Sequence, residues 1–140
     1  MAESLRFHYD VDGDNFTSAG AASVEVKRKL RQLGFPAETI RRVSIAMYEG
    51  EINMVVHARG GVADVYVEPN CITIVLTDHG PGIADVALAM QEGYSTAPDN
   101  IRALGFGAGM GLPNMKRYTD EMNIETEVGK GTTVTMKVNV

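Results

Sequence analysis

The stretch VADVYVEPNCITIVLTD, residues 62–78, decides the fold. Its two halves, 62–68 and 71–78, are rich in β-branched and aromatic residues, which favour strands. Pro69 and Asn70 between them are typical of a tight turn, so the stretch predicts a β-hairpin. The second half carries the chain's single cysteine, Cys71. A lone thiol behaves as a small hydrophobe, so Cys71 is predicted to be buried in the core.

Helical and strand patterns lie on both sides of the hairpin. Alternating residues predict a strand over 5–11, and apolar residues at helical spacing predict helices over 16–33 and 36–58. A short helix over 112–119 and strands over 122–128 and 133–138 follow. This order predicts an α+β fold: a two-layer sandwich with helices on one face of a mixed, mostly antiparallel sheet. We expect residues 1–140 to form a single domain.

Composition restricts the classes of function. The net charge of the 140 residues is −5, and a surface of that sign repels phosphate backbones, so we expect no nucleic-acid partner. The sequence shows neither a signal peptide nor an apolar run long enough to span a bilayer. We therefore expect a cytoplasmic protein that does not associate with membranes.

The first group of candidate site residues lies on the second predicted helix. Glu49, Asn53 and His57 are spaced four residues apart and share one face of that helix. A carboxamide oxygen can bind Mg²⁺, and a carboxylate can accept a proton from an attacking hydroxyl group. A polar stripe on an amphipathic helix would show the same spacing. Glu51 points about 160° away from Glu49, and Gly50 is expected to cost the helix about 1 kcal/mol relative to alanine.

The second group follows the hairpin directly. Asp78 ends the apolar strand, and Gly80 and Gly82 come after it. A carboxylate at a strand end can accept a hydrogen bond from an exocyclic amine such as N6 of adenine, and glycines let the backbone approach a flat ring. An acidic turn that closes a strand is the alternative explanation.

The third group is a glycine-rich run that leads into the helix predicted over 112–119. It comprises Gly105, Phe106, Gly107, Ala108, Gly109, Met110, Gly111 and Leu112. Glycine amides before a helix can bind phosphate oxygens. The run comes late in the chain and does not follow the first strand of a βαβ unit, so it does not fit a dinucleotide-binding fingerprint. No Gly-Lys-Ser/Thr follows, which excludes a P-loop, whereas a flexible glycine loop stays an alternative.

The three groups together resemble the ATP-binding boxes of the GHKL, or Bergerat-fold, ATPase superfamily in order, spacing and placement. Gly131-Thr132-Thr133, which opens the last strand, resembles the Gly-Thr segment of that superfamily. Further segments are similar to bacterial serine kinases of sigma-factor partner switches, most of all the stress-response branch. These are 33–35, 91–96, 111–113, 116–117 with 120–121, and 129–133.

The resemblance implies a role for each matching residue. Glu49 would be the general base, and Asn53 would bind Mg²⁺, with His57 on the same helix face. Asp78 would contact adenine, in a pocket shaped by Gly80, Gly82 and Thr132. The backbone around the glycine run would bind the phosphates, and residues 84–111 would form an ATP lid. The phosphate-binding set is Gly107, Gly109, Met110, Gly111 and Leu112, with Arg102 as the candidate contact to the γ-phosphate.

The resemblance also implies a function with ATP and Mg²⁺ as cofactors. The protein would be an anti-sigma regulatory factor and serine kinase that phosphorylates a serine on a STAS-domain antagonist. A sigma factor, a phosphatase or a second copy of the chain are further partners that the resemblance implies. Two alternatives stay open: a nucleotide-dependent module that sequesters a regulator without kinase activity, and an isolated GHKL ATPase domain.

Overall fold

The computed structural model describes residues 5–12, 20–58, 60–83, 86, 90 and 111–140, although the side chains of residues 12, 56 and 57 are outside this description. The described part contains five strands and three helices. In chain order they are β1 (Leu5–Asp12), α1 (Ala21–Gln32), α2 (Ala37–Ala58), β2 (Gly60–Glu68), β3 (Cys71–Asp78), α3 (Gly111–Arg117), β4 (Glu121–Glu127) and β5 (Gly131–Asn139).

The five strands form one sheet in the order β1-β2-β3-β5-β4. Every pairing among these described strands is antiparallel. The hairpin predicted over 62–78 is the pair β2–β3, in which Val62 lies opposite Thr77 and Glu68 lies opposite Cys71. The expected α+β fold with a largely antiparallel sheet is therefore confirmed.

The core lies between the sheet and the helices. Ile72, Ile74 and Leu76 alternate along β3 and are buried against the helical layer. Side chains on successive strand residues point to opposite faces, so Cys71 lies on the other face and is only half-buried. The prediction that Cys71 is a core thiol was wrong, because an apolar run of residues does not reveal which face each of them takes.

The helical layer is built around α2. Val26 and Leu30 of α1 and Val43 and Met47 of α2 are completely buried. At the other side of α2, the Arg42 guanidinium donates to the Tyr118 carbonyl at 3.2 Å, which ties α2 to the residue that follows α3. No helix in the part of the chain that the structure describes is long and apolar enough to cross a membrane.

Gly50 is required by packing. A Cβ atom at this position would overlap the buried Leu76 side chain and would lie 3.4 Å from the Met115 methyl group. We expect Gly50→Ala to destabilise the protein by about 1–2 kcal/mol, since overpacking a core costs more than the helix propensity that alanine gains. Urea unfolding monitored by circular dichroism measures this loss.

A matched double variant tests the cause. Leu76→Val in the Gly50→Ala background removes the overlapping methyl group, so it should recover part of the lost stability. A Gly50→Ala variant that is more stable than the wild type would show that α2 lies farther from β3 than the structure indicates.

Candidate functional site

Glu49 and Asn53 lie one turn apart in the second half of α2, and both side chains are half-buried. Helix α2 is held in place by the core residues on its opposite face, so these two side chains are presented by a rigid element. Burial of the carboxyl raises the pKa of Glu49 above its usual range. A carboxylate and a carboxamide oxygen in this arrangement can accept a proton and ligate a hard cation.

Asn114 in α3 reaches the same carboxylate. Its amide nitrogen donates a hydrogen bond to Glu49 Oε1 at 3.4 Å. A hydrogen bond to the charged form acts against burial, which is the larger effect, so the pKa of Glu49 stays above its usual range. The sequence reasoning did not identify Asn114, which is 65 residues away along the chain.

Glu51, on the opposite face of α2, has a structural role. Its side chain is 2% exposed, and its carboxylate accepts hydrogen bonds from the backbone amides of Gly20, Ala22 and Ser23 at 3.0, 3.3 and 2.6 Å. The N-cap position of α1 is Gly20, which has no side chain to cap the helix. Glu51 therefore caps α1 from a neighbouring helix. Burial raises the pKa of Glu51, and the three amides oppose that shift.

Asp78 is fixed at the end of β3. Its Oδ1 atom accepts hydrogen bonds from the amides of Gly80 at 3.0 Å and Thr132 at 3.2 Å. Among the described residues, the hydrogen bonds to this side chain all go to Oδ1. The geometry therefore leaves the second carboxylate oxygen to accept a hydrogen bond from a ligand.

Thr132 belongs to a hydroxyl network beside Asp78. Thr126 Oγ1 accepts from the Ile83 amide at 2.8 Å, donates to the Gly131 carbonyl at 3.2 Å and lies 2.9 Å from Thr132 Oγ1. Either hydroxyl can donate across this contact, which links the Thr126 and Thr132 side chains at the end of the sheet beside Asp78. The sequence reasoning missed Thr126, since a threonine in an alternating strand carries no distinctive signal.

Glycines let three chain segments meet at this end of the sheet. Gly82 has φ 77°, and a Cβ atom there would lie 2.5 Å from the Glu127 carbonyl oxygen. A Cβ atom on Gly80 would lie 2.5 Å from the Ala58 Cβ atom, which places the loop after β3 against the end of α2. Packing of the protein itself therefore requires glycine at both positions, in addition to the predicted approach of a ligand.

A depression of about 320 Å³ opens beside Asp78 and Thr132. Thr77 and Thr133, which face away from the helices, line it as well, whereas Glu49 and Asn53 do not. The described residues therefore form two separate parts of the predicted site, one on α2 and one at the end of β3.

Several residues predicted for the site lie outside the described residues. They are Arg102, Gly107, Gly109, Met110, the side chain of His57 and nearly all of the lid predicted over 84–111. Gly111 is the first residue of α3, and Leu112 is 6% exposed and packs in the core. The glycine run thus leads into a helix, as its pattern predicts.

Comparison with known proteins places the chain in a class. The family model described as a histidine kinase-like ATPase domain matches residues 15–138. The structure is similar to a Mycobacterium tuberculosis chain with RsbU and RsbW domains, with a TM-score of 0.64 and 16% sequence identity. The match covers 96% of this chain and 32% of the other, so this chain spans about a third of its length. That likeness shows a fold of the GHKL type.

Two curated relatives identify the family within this class of ATPase domains. The anti-sigma F factor of Clostridium novyi (strain NT) is 34% identical over 122 residues, which cover 83% of this chain and 82% of the relative. That of Caldanaerobacter subterraneus subsp. tengcongensis is 36% identical over 110 residues, with coverage of 75% and 73%. The chain therefore belongs to the GHKL superfamily of histidine kinase-like ATPase domains and, within it, to the anti-sigma factor family.

Proposed function

We propose that the protein is an ATP- and Mg²⁺-dependent serine kinase that acts as an anti-sigma regulatory factor and phosphorylates a serine on a STAS-domain antagonist. The observation that carries this proposal is the half-buried Glu49, whose raised pKa suits a base and which lies one turn from Asn53. Membership in a family of ATPase domains and relatives named anti-sigma F factors support it.

The proposed reaction is a direct transfer. The serine hydroxyl oxygen attacks the γ-phosphorus of ATP, its proton passes to the Glu49 carboxylate, and the bond to the bridging oxygen breaks to release ADP. The carboxylate of Asp78 accepts a hydrogen bond from the adenine amine, and Thr132 helps to shape that pocket. The protein's contribution is the position of these groups and the removal of the proton.

Asn53 suits the metal in this reaction. Its half-buried carboxamide provides one neutral oxygen ligand, and Mg²⁺ in ATP sites is held by few protein ligands together with phosphates and water. Mg²⁺, when bound, neutralises charge on the phosphates. We therefore assign Asn53 as the protein ligand of Mg²⁺, because its carboxamide oxygen is of the hard type that this cation takes.

The test is to incubate the purified protein with γ-labelled ATP, Mg²⁺ and a purified STAS-domain antagonist. We expect one labelled phosphoserine on the antagonist, and no label when Mg²⁺ is removed with EDTA. ATP binding without transfer to any antagonist would overturn the kinase proposal.

The names of the relatives favour one alternative. A protein could bind and sequester a sigma factor in its nucleotide-bound state without any kinase activity. Co-purification with a sigma factor that depends on ATP, together with no transfer to the antagonist, would establish that alternative.

Asp78→Asn is expected to weaken ATP binding ten- to a hundredfold. The amide oxygen can still accept from the amides of Gly80 and Thr132, but the free oxygen becomes an NH₂ group that faces the adenine amine. Two donors that face each other cost about 1–3 kcal/mol, which gives the expected loss. Isothermal titration with ATP and with inosine triphosphate, which carries an acceptor at that ring position, measures the change.

The ratio of the two affinities is the internal control in this experiment. Asp78→Asn should bind inosine triphosphate better, relative to ATP, than the wild type does. Unchanged ATP affinity would show that Asp78 does not contact the base.

A further inference from the structure

Helix α3 is fixed against the part of α2 that carries Glu49. Met115 is 1% exposed and lies beside Gly50, where α2 has no side chain. About two helical turns earlier on α2, Arg42 donates to the Tyr118 carbonyl and pairs with Asp120 at 3.0 Å. Because α3 and the residues directly after it contact α2 at these two points, the position of Asn114 relative to Glu49 is set by packing.

Asn114 is chemically suited to hold a base without competing with it. Its amide nitrogen, 3.4 Å from Glu49 Oε1, can donate but cannot accept a proton. With Oε1 engaged, the second carboxylate oxygen is left to take the proton of a substrate hydroxyl group. Burial and the Asn114 amide are the two influences on the pKa of Glu49 among the described residues. On the same helix, Arg42 pairs with Asp120, and Glu51 binds amides of α1.

We propose that Asn114 is the positioning residue of the catalytic base: its amide fixes the rotamer of the Glu49 carboxylate by donating to Oε1. This inference rests on the kinase function proposed above. The contact between Asn114 and Glu49 holds whether or not the protein is a kinase.

The hydrogen bond from Asn114 favours the charged form of Glu49. Burial alone favours the protonated acid, which cannot act as a base. The Asn114 amide acts in the opposite sense. Without it, Glu49 would be protonated over a wider pH range and free to rotate away from the substrate.

The test uses Asn114→Leu and Asn114→Asp in the full chain. Asn114→Leu removes the donor at similar volume, and we expect kcat to fall about tenfold, the rate equivalent of one hydrogen bond to a charged group, with KM for ATP unchanged. Asn114→Asp keeps the shape but places a second carboxyl beside the base, so its loss should be greater. Asn123→Leu, an equivalent change at an exposed position on β4, is the control.

A second readout is independent of kinase activity. Carbon-detected NMR titration of the Glu49 carboxyl should show its pKa move upward in both Asn114 variants and stay unchanged in Asn123→Leu. The acid limb of the pH–rate profile should move upward with it. Folded variants in which the Glu49 titration is unchanged would overturn the inference.

The two proposals can fail separately. A wild-type protein that transfers no phosphate to a serine overturns the kinase function and the catalytic role of Asn114, even if the NMR titration shifts. A wild-type kinase whose Asn114 variants keep full kcat at every pH overturns the role of Asn114 alone.

Discussion

Glu49→Gln is expected to reduce phosphoryl transfer to the antagonist about a hundred- to ten-thousandfold, the range for loss of a general base. Glutamine keeps the volume of the side chain and can still accept a hydrogen bond from the Asn114 amide. It cannot accept the serine proton. Single-turnover transfer from labelled ATP measures the loss, and isothermal titration should show Mg·ATP binding close to that of the wild type.

The pH dependence of the transfer rate is a second way to distinguish this variant from the wild type. The base acts only when ionised, so the wild-type rate should rise as pH rises through the pKa of Glu49, which burial places above its usual range. The residual rate of Glu49→Gln should not show this rise with pH. Glu38→Gln, at an exposed position in the first turn of the same helix, is the matched control and should keep both rate and profile.

Full activity in Glu49→Gln would assign the proton to another acceptor. In a transition state that is largely dissociative, the serine proton can leave late, and the substrate would then need less help from the protein. Loss of ATP affinity together with activity would instead place Glu49 in nucleotide binding.

Glu51→Ala is expected to destabilise the folded protein by about 2–4 kcal/mol. The change leaves the amides of Gly20, Ala22 and Ser23 without their acceptor and creates a cavity between α1 and α2. A lost N-cap costs about 0.5–2 kcal/mol, and each buried donor left unsatisfied adds to that. Chemical denaturation, with a lower midpoint at an unchanged slope, measures the effect.

Glu51→Gln separates the charge from the hydrogen bonds. Its one carbonyl oxygen can accept from the amides of Gly20 and Ala22, but its NH₂ group then faces the Ser23 amide, so we expect it to recover only part of the loss in Glu51→Ala. Glu25→Ala removes an exposed pairing with Arg28 on α1 and should lower the midpoint far less than Glu51→Ala does. Equal stability of Glu51→Ala and the wild type would show that water can replace the carboxylate at α1.

The stability of the protein should also depend on pH through Glu51. Because burial raises the pKa of Glu51, the folded protein binds this proton more tightly than the unfolded chain does. Stability should therefore fall as pH rises from the usual range of a glutamate through the raised value. Glu49 contributes with the same sign, so the Glu51→Gln variant should lose only part of this slope.

The contrast between Glu49 and Glu51 shows how far the helix pattern can be used. Spacing along α2 correctly placed the two carboxylates on opposite faces and put Glu49 with Asn53. The pattern could not assign a role to Glu51, because its partners lie 28 to 31 residues earlier and are backbone amides, which have no sequence signature. Asn114 was missed for the same reason: its contact with Glu49 depends on the docking of α3.

Periodicity by itself determined the elements of this protein. The hairpin β2–β3, the two long helices and the order of strands follow from residue alternation and helical spacing, since both are properties of neighbouring residues. The positions of Glu49, Asn53 and Asp78 on those elements follow as well. Tertiary structure alone decided which side chains of the sheet face the helices, as the half-buried Cys71 shows. It also decided that Gly50 is a packing requirement and that Glu51 caps α1, because both depend on surfaces that meet only after the chain has folded.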